Sequence, residues 1–422
     1  GAELAAAPER PWSWRVGWAR GLADSSRSDG WRRERDARTV DWRLGSPAVA
    51  GMRLNADGTW RRTLVPDGAD LSTRLAKVRL TGRWPSLGSD WGLIYGVDNS
   101  RTEVLDRQIV FVGDRLGDYN QGGDYVGHEL GDYRVVTVGT DSLVATTEVT
   151  ADLTWRQDFG VLGDDRWWGG WSTFTRLTTR GRSRTEDTGR LLRLDRGAIF
   201  DEGDAVLGEV SLRQDVNLLR HLRDWDLRLR YDLDETLDRQ YATHPERRLR
   251  RTHQSTLVRN LGRSTSVRWR TRREFDRRRT EETGFSSNRS YGTVVWHHEV
   301  EPTWRGAPGN QLAVAVDHAR RSDDVSGVEQ REWGVKPSAR WRLARRWSGT
   351  AEVRWANVAS DEAAGALRPF FFPYPGVNVD VITRLTWDPS RTMSVTLSHF
   401  SRRLGDQRGW QHDVRLESTA RF

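Results

Sequence analysis

The residues with the most chemistry within reach lie between Gly113 and Thr140, where Gly-Asp-Tyr occurs three times, at 117–119, 123–125 and 131–133. Asp118, Asp124 and Asp132 carry carboxylates of the kind that bind Ca²⁺, a hard cation that takes oxygen ligands. Their spacing is not that of a helix-loop-helix calcium site. Gly-Asp is equally the chemistry of tight turns, and that is the preferred reading. Tyr119, Tyr125 and Tyr133 offer rings on which a glycan or a partner chain could stack. A second group sets arginine against carboxylate: Arg228, Arg230 and Asp232, then Arg268, Arg270 and Arg272, then Arg340, Arg342 and Arg354. Lining water, these guanidiniums would favour anions. Paired with the acidic residues that interleave with them, they would form neutral ladders, and that reading is preferred. His297 and His298 are adjacent, so a strand sends them to opposite faces; His318, His399 and His412 are scattered. No HExxH, GxSxG, phosphate-binding glycine loop or dinucleotide fingerprint is present. Ser/His or Asp/His sets assembled across neighbouring strands leave no spacing to read. The expectation is therefore no enzyme, no cofactor and no metal site.

The elements that must position these groups are strands. Trp225, Leu227, Leu229, Tyr231 and Leu233 alternate with Asp226, Arg228, Arg230, Asp232 and Asp234. Val149, Ala151, Leu153, Trp155 and Phe159 alternate with Glu148, Asp152 and Arg156, and Val379, Val381, Leu385 and Trp387 with Asp380, Arg384 and Asp388. Period two is the signature of a strand with one apolar and one polar face. Strands are predicted at 143–159, 166–181, 205–218, 224–240, 247–260, 264–280, 290–305, 310–322, 332–345, 348–360, 377–388, 391–403 and 410–422. Ahead of these, 11–20, 36–45, 70–84 and 89–97 are read as strands. Connections alternate between short ones, such as 388–391 and 305–310, and longer ones, such as 360–376 and 181–204.

Composition narrows the class. Hydrophobic residues make up 36% of the 422, a thin supply for a soluble core of this size but enough where only alternate strand residues need be apolar. No apolar run approaches the roughly 18 residues of a membrane helix. With no Cys, disulfides, Cys-ligated metal and covalently attached c-type haem are excluded. The net charge of +8 comes almost wholly from arginine, because Lys77 and Lys336 are the only lysines. It is interleaved with 59 acidic residues and no basic helix or zinc-finger spacing accompanies it, so nucleic acid is not expected as a partner. The 22 tryptophans cluster near predicted strand ends, among them Trp84, Trp91, Trp225, Trp304, Trp347, Trp387 and Trp410. Rings with one polar edge favour a membrane interface. The amino terminus, GAELAAAPERP, shows no basic region followed by an apolar core, and the expectation is a mature chain or a piece of a longer one.

The last stretch, Trp410 to Phe422 (WQHDVRLESTARF), puts Trp410, His412, Val414, Leu416, Ser418, Ala420 and Phe422 on one side of a strand. It resembles the closing strand of Gram-negative outer-membrane β-barrels, whose terminal Phe and preceding apolar positions form the signal read by the barrel-assembly machinery. The resemblance implies that role for Val414, Leu416, Ala420 and Phe422; Ser418 departs from it, since a larger apolar residue is usual there. The Gly-Asp-Tyr segment resembles segments of very long Gram-negative surface proteins that precede a β-rich carboxyl-terminal region, so the chain is read as the barrel part of such a protein.

The expected fold is all-β: an antiparallel up-and-down transmembrane β-barrel of about 16 strands (14–18), with a small turn-rich inserted segment. The expected divisions are 1–97, amino-terminal barrel strands; 98–142, a Gly-Asp-Tyr-rich loop or small β subdomain; and 143–422, the remaining barrel strands. The expected place is the outer membrane of a Gram-negative bacterium. The expected partners are its lipids, the barrel-assembly machinery and other subunits of a surface complex. Function is read as membrane anchor or component of a surface or secretion assembly. The alternatives are a porin-like channel with a weakly anion-favouring lumen and a soluble β-rich adhesin.

Overall fold

In the computed structural model, the backbone is described for all residues except 1, 6–11, 28–29, 65–70, 115, 123–130, 164–167, 185–187, 201–202, 220–221, 240–245, 281–289, 345, 362–371, 391, 406–408 and 421–422. Nineteen strands account for 77% of it. They are β1 (Ala2–Ala5), β2 (Ser13–Arg27), β3 (Gly30–Gly45), β4 (Met52–Leu64), β5 (Leu71–Trp84), β6 (Ser89–Phe111), β7 (Tyr133–Asp158), β8 (Ser172–Ser183), β9 (Ala205–Leu218) and β10 (Trp225–Asp238). They continue as β11 (Glu246–Asn260), β12 (Thr265–Thr280), β13 (Tyr291–Arg305), β14 (Gln311–Asp323), β15 (Glu329–Ala344), β16 (Trp347–Asp361), β17 (Gly376–Trp387), β18 (Met393–Arg403) and β19 (Gln411–Ala420). Two five-residue helices, α1 (Thr188–Leu192) and α2 (Arg196–Phe200), lie between β8 and β9. Among the described residues no helix is long and apolar enough to cross a membrane, which says nothing about crossing by strands.

The chain divides into two compact units, residues 1–215, 232–249 and 278–289 in the first and 216–231, 250–277 and 290–422 in the second. In the first, β1 through β8 each pair antiparallel with the next strand. In the second, β13 through β19 do the same. This is the up-and-down order that short connections between antiparallel neighbours produce.

The strand count exceeds the expected sixteen; of the nineteen strands, seventeen answer to the segments read as strands, and β4 and the short β1 were not foreseen. β4 carries Asn55, Asp57 and Gly58 in its middle, which read as turn residues. In the sheet, Gly58 lies directly opposite Trp42, and a Cβ added to it would come 2.5 Å from the indole nitrogen. The glycine is thus a seat for a cross-strand ring. The arrangement recurs at Gly82 opposite Trp91 and at Gly349 opposite Trp341. β8 also begins later than expected, at Ser172, because a 3-10 turn (Gly160–Leu162) lengthens the connection before it.

Burial along the second unit runs opposite to that of a water-soluble sheet. In β14, Leu312, Val314 and Val316 are 53%, 42% and 45% exposed, while Ala313, Ala315 and Asp317 between them are 6%, 1% and 5% exposed. β15 and β16 repeat this, with Trp333, Val335, Val353 and Trp355 exposed and Gln330, Glu332 and Ala356 buried. The apolar face is the open one and the charged face is the crowded one. Trp269, Trp304, Trp347 and Trp387 are exposed near strand ends joined by short connections, and Trp347 stacks on Trp387 at 5.5 Å.

In the first unit α1 and α2 pack on the apolar face of the long strands. Leu191, Ile199 and Phe200 are buried against Val149, Ala205 and Leu237, with Tyr95 and Val97 alongside. The Tyr95 hydroxyl donates to the Leu192 carbonyl at 2.6 Å. Asp195 accepts the Gly197 N–H at 2.7 Å and so caps α2. That bond first, and the Arg190 guanidinium beside it, hold the Asp195 carboxyl below the usual carboxylate range.

Candidate functional site

The charged face of the second unit is where the predicted arginines meet partners. β12 supplies Arg268, Arg270 and Arg272 on alternate residues. β13 offers Glu299 and Glu301, so that Arg268 contacts Glu301 at 2.5 Å and Arg270 contacts Glu299 at 3.2 Å. Arg272 pairs with Glu274 on its own strand, and Arg250 of β11 reaches the same carboxylate at 2.8 Å. Further along, Glu332 of β15 is 1% exposed and lies between Arg321 of β14, at 2.6 Å, and Arg354 of β16. His297 stands 3.7 Å from the buried Asp317. Arg402 of β18 pairs with Asp380 of β17 at 2.7 Å.

Small residues make room for this ladder. Gly334 is opposite Asp317, and a Cβ there would meet the carboxylate oxygen at 2.7 Å. Ala319, fully buried, sits opposite both Glu332 and His297. Burying a charge is tolerable only when it is paired and hydrogen-bonded; Glu299 and Glu332 each have a guanidinium beside them, and Asp317 has the His297 ring at 3.7 Å.

The sequence expectations are met unevenly. Asp232 pairs with Arg213 of β9 at 2.8 Å, while Arg228 and Arg230 flank Leu229, which is exposed. Arg340 and Arg342 are exposed at the far end of β15, with no ion pair among the described residues. Glu299, Glu301, Arg321 and Glu332 were not singled out from sequence; only the cross-strand register brings them together. The first unit carries similar pairs, Arg180 with Glu148 at 2.7 Å and Arg176 with Asp152 at 2.7 Å.

Residues 98–142 form the distal part of the β6–β7 hairpin, strands of 23 and 26 residues, and the segment between them. Asp124 and Tyr125 lie outside the described residues. Gly117 and Gly131 exchange backbone hydrogen bonds at 2.8 and 2.9 Å, and a Cβ on Gly117 would fall 2.1 Å from the Tyr133 carbonyl oxygen. Gly117 and Gly131 therefore serve close backbone approach. Tyr119 corrects the expectation of an exposed stacking ring: it is 3% exposed, drawn in by its double backbone bridge to Tyr133. Tyr133 in turn meets Phe111 edge-on at 5.4 Å. Asp118 and Asp132 are partly exposed. Among the described residues no three acidic or histidine side chains gather as a metal centre.

Of the four residues expected to form an assembly signal, Val414 and Leu416 are exposed on β19, Ala420 ends that strand opposite Met393, and Phe422 lies outside the described residues.

No protein-family model matches the chain, and no curated protein matches it. Among solved structures it is similar to the siderophore receptor PirA from Pseudomonas aeruginosa, at 10% identity and a TM-score of 0.45, covering 100% of this chain and 68% of that one. It is similar to the ferric yersiniabactin uptake receptor FyuA from Yersinia pestis, at 10% identity and a TM-score of 0.36, over 100% and 77%. A bacterial polysaccharide outer membrane secretin gives 10% identity and a TM-score of 0.31, over 89% and 96%. Likeness at this level says nothing about what this chain carries or binds.

Proposed function

We propose that the chain is the wall of a closed transmembrane β-barrel in the outer membrane of a Gram-negative bacterium, serving as the membrane anchor or a component of a surface or secretion assembly. The observation that carries this reading is the inverted burial of β14, where valine and leucine are open and alanine and aspartate are buried. In water that pattern leaves apolar surface exposed on strand after strand; against lipid it is the stable one. The same pattern counts against a soluble adhesin. In this reading the apolar face meets outer-membrane lipids, Val414 to Phe422 address the barrel-assembly machinery, and the paired charges fill the interior. Paired arginines argue for an anchor over a channel, since a neutralised ladder has little field left to draw anions. A porin-like channel draws instead on Arg340 and Arg342. The first test is fractionation, with recovery in the outer membrane and faster migration on unheated gels. Recovery in the soluble fraction without detergent would sink the membrane reading, and steady single-channel conductance in planar bilayers would favour the channel over the anchor.

A further inference from the structure

On the apolar face, near the end of β18, two imidazoles converge on one hydroxyl. Ser401 Oγ is 2.7 Å from His399 Nε2 and 2.6 Å from His412 Nδ1. Ser401 is 3% exposed, and it sits directly opposite His412 in the β18–β19 ladder. The two rings are stacked at 5.8 Å and 11°, and Trp410 stacks on the far one at 6.2 Å. The neighbours across the ladder on this face, Val381 and Thr383 of β17 and Val414 of β19, are uncharged, and the exposed Arg403 lies two residues beyond Ser401 on the same face.

A serine hydroxyl has one hydrogen, so it can donate to one ring and must accept from the other or face a lone pair. Two ring nitrogens aimed at one point are what a divalent ion of the later first row requires, and neutral imidazole suits Zn²⁺, Cu²⁺ and Ni²⁺. With Zn–N bonds of about 2.0–2.1 Å, two nitrogens on one tetrahedral ion sit roughly 3.4 Å apart. Both nitrogens lie within 2.7 Å of one oxygen, and rotation of the two rings about their side-chain bonds is what brings them to that spacing. We propose that His399 Nε2 and His412 Nδ1 bind a divalent ion of the Zn²⁺ or Cu²⁺ class, with the Ser401 hydroxyl as a neutral third ligand and water completing the shell. The ion clips β19 to β18, cross-linking the last strand to its neighbour.

The test uses the full chain folded in detergent micelles near pH 7.5, because imidazole binds a metal ion only in its neutral form. ZnCl₂ is titrated calorimetrically into wild type, a His399→Gln/His412→Gln variant and a His298→Gln/His318→Gln control. Wild type and control should bind one ion with the same affinity, and the first variant should bind about tenfold or more weakly. Equal binding by the first variant, or no wild-type binding below about 1 mM, a free energy near 4 kcal/mol, overturns the proposal. Should the variant fail to fold, as judged by heat-dependent gel mobility, electron paramagnetic resonance of Cu²⁺ on wild type decides. Coupling to two imidazole nitrogens supports the site, and its absence refutes it.

Discussion

Val316 gives the sharpest test of which face meets lipid. It lies near the middle of β14, 45% exposed, paired with Val300 on one side and Val335 on the other. Its sequence neighbour Asp317 points the opposite way and is buried. If the open face is in hydrocarbon, Val316→Arg moves a guanidinium into the bilayer at mid-strand, which costs about 2–4 kcal/mol. That is roughly a 30- to 1,000-fold loss in the folding equilibrium constant. If the open face is in water, the same change is a surface substitution within about 0.5 kcal/mol of neutral. The two readings differ by more than the error of a denaturant titration. The assay is urea unfolding and refolding in phosphatidylcholine vesicles, followed by tryptophan fluorescence, with Val316→Leu as the conservative control. A shift under about 0.5 kcal/mol for the arginine variant would refute the assignment of this face to lipid.

Four further outcomes are expected. Glu332→Gln strands Arg321 and Arg354 beside a neutral amide and should cost about 3 kcal/mol in the same titration, the low end for a buried pair because Arg354 remains partly hydrated. Because the Asp195 carboxyl titrates below its unfolded value, its contribution to the α1–α2 insert is present above the ordinary aspartate pKa of about 3.9 and lost as pH falls through the folded value. Proteolysis within 188–200 should therefore rise with acidification in wild type, and Asp195→Ala should flatten that rise. Phe422→Asp should lower the amount of folded protein in the membrane without lowering synthesis; equal folded levels would count against an assembly signal at the carboxyl end. Asn120→Cys, in a chain with no other cysteine, should react with a membrane-impermeant maleimide on intact cells, whereas reaction only after permeabilisation would put the β6–β7 tip on the periplasmic side.

Strand existence was readable because period two is a local property. Trp225 to Asp234 or Val379 to Asp388 declare two faces without reference to any neighbour. The strands expected from 143 onward accordingly lie within a few residues of their expected places, apart from the late start of β8 and the start of β7 at Tyr133, ten residues before the expected 143. What failed locally was glycine. Gly58 reads as a turn in one dimension and becomes a seat for Trp42 only once β3 lies beside β4. The two helices were equally hidden, because five-residue helices such as Thr188–Leu192 are too short to show a periodicity.

Site residues were legible by type and not by partner. Arg268, Arg270 and Arg272 announce a polar face, but which carboxylate each one meets depends on register, and register is set by the whole ladder. Tyr119 shows the reverse error: as a tyrosine in a turn-rich stretch it reads as exposed, and two backbone bridges to Tyr133 bury it. His399 and Ser401 share a face by their spacing alone, yet His412 joins them only because Ser401 pairs with it across β18 and β19. In an all-strand chain the chemistry therefore sits one step beyond the pattern. Sequence assigns the face, register assigns the partner, and a one-residue slip of β19 would turn His412 to the other face, away from Ser401. It would also turn Val414 and Leu416 inward. The proposed ion site and the apolar positions of the carboxyl-terminal strand thus depend on the same register. Zn²⁺ binding that fails in a variant with one residue inserted after Trp410, and returns when a second insertion restores the alternation, would show that β19 holds both.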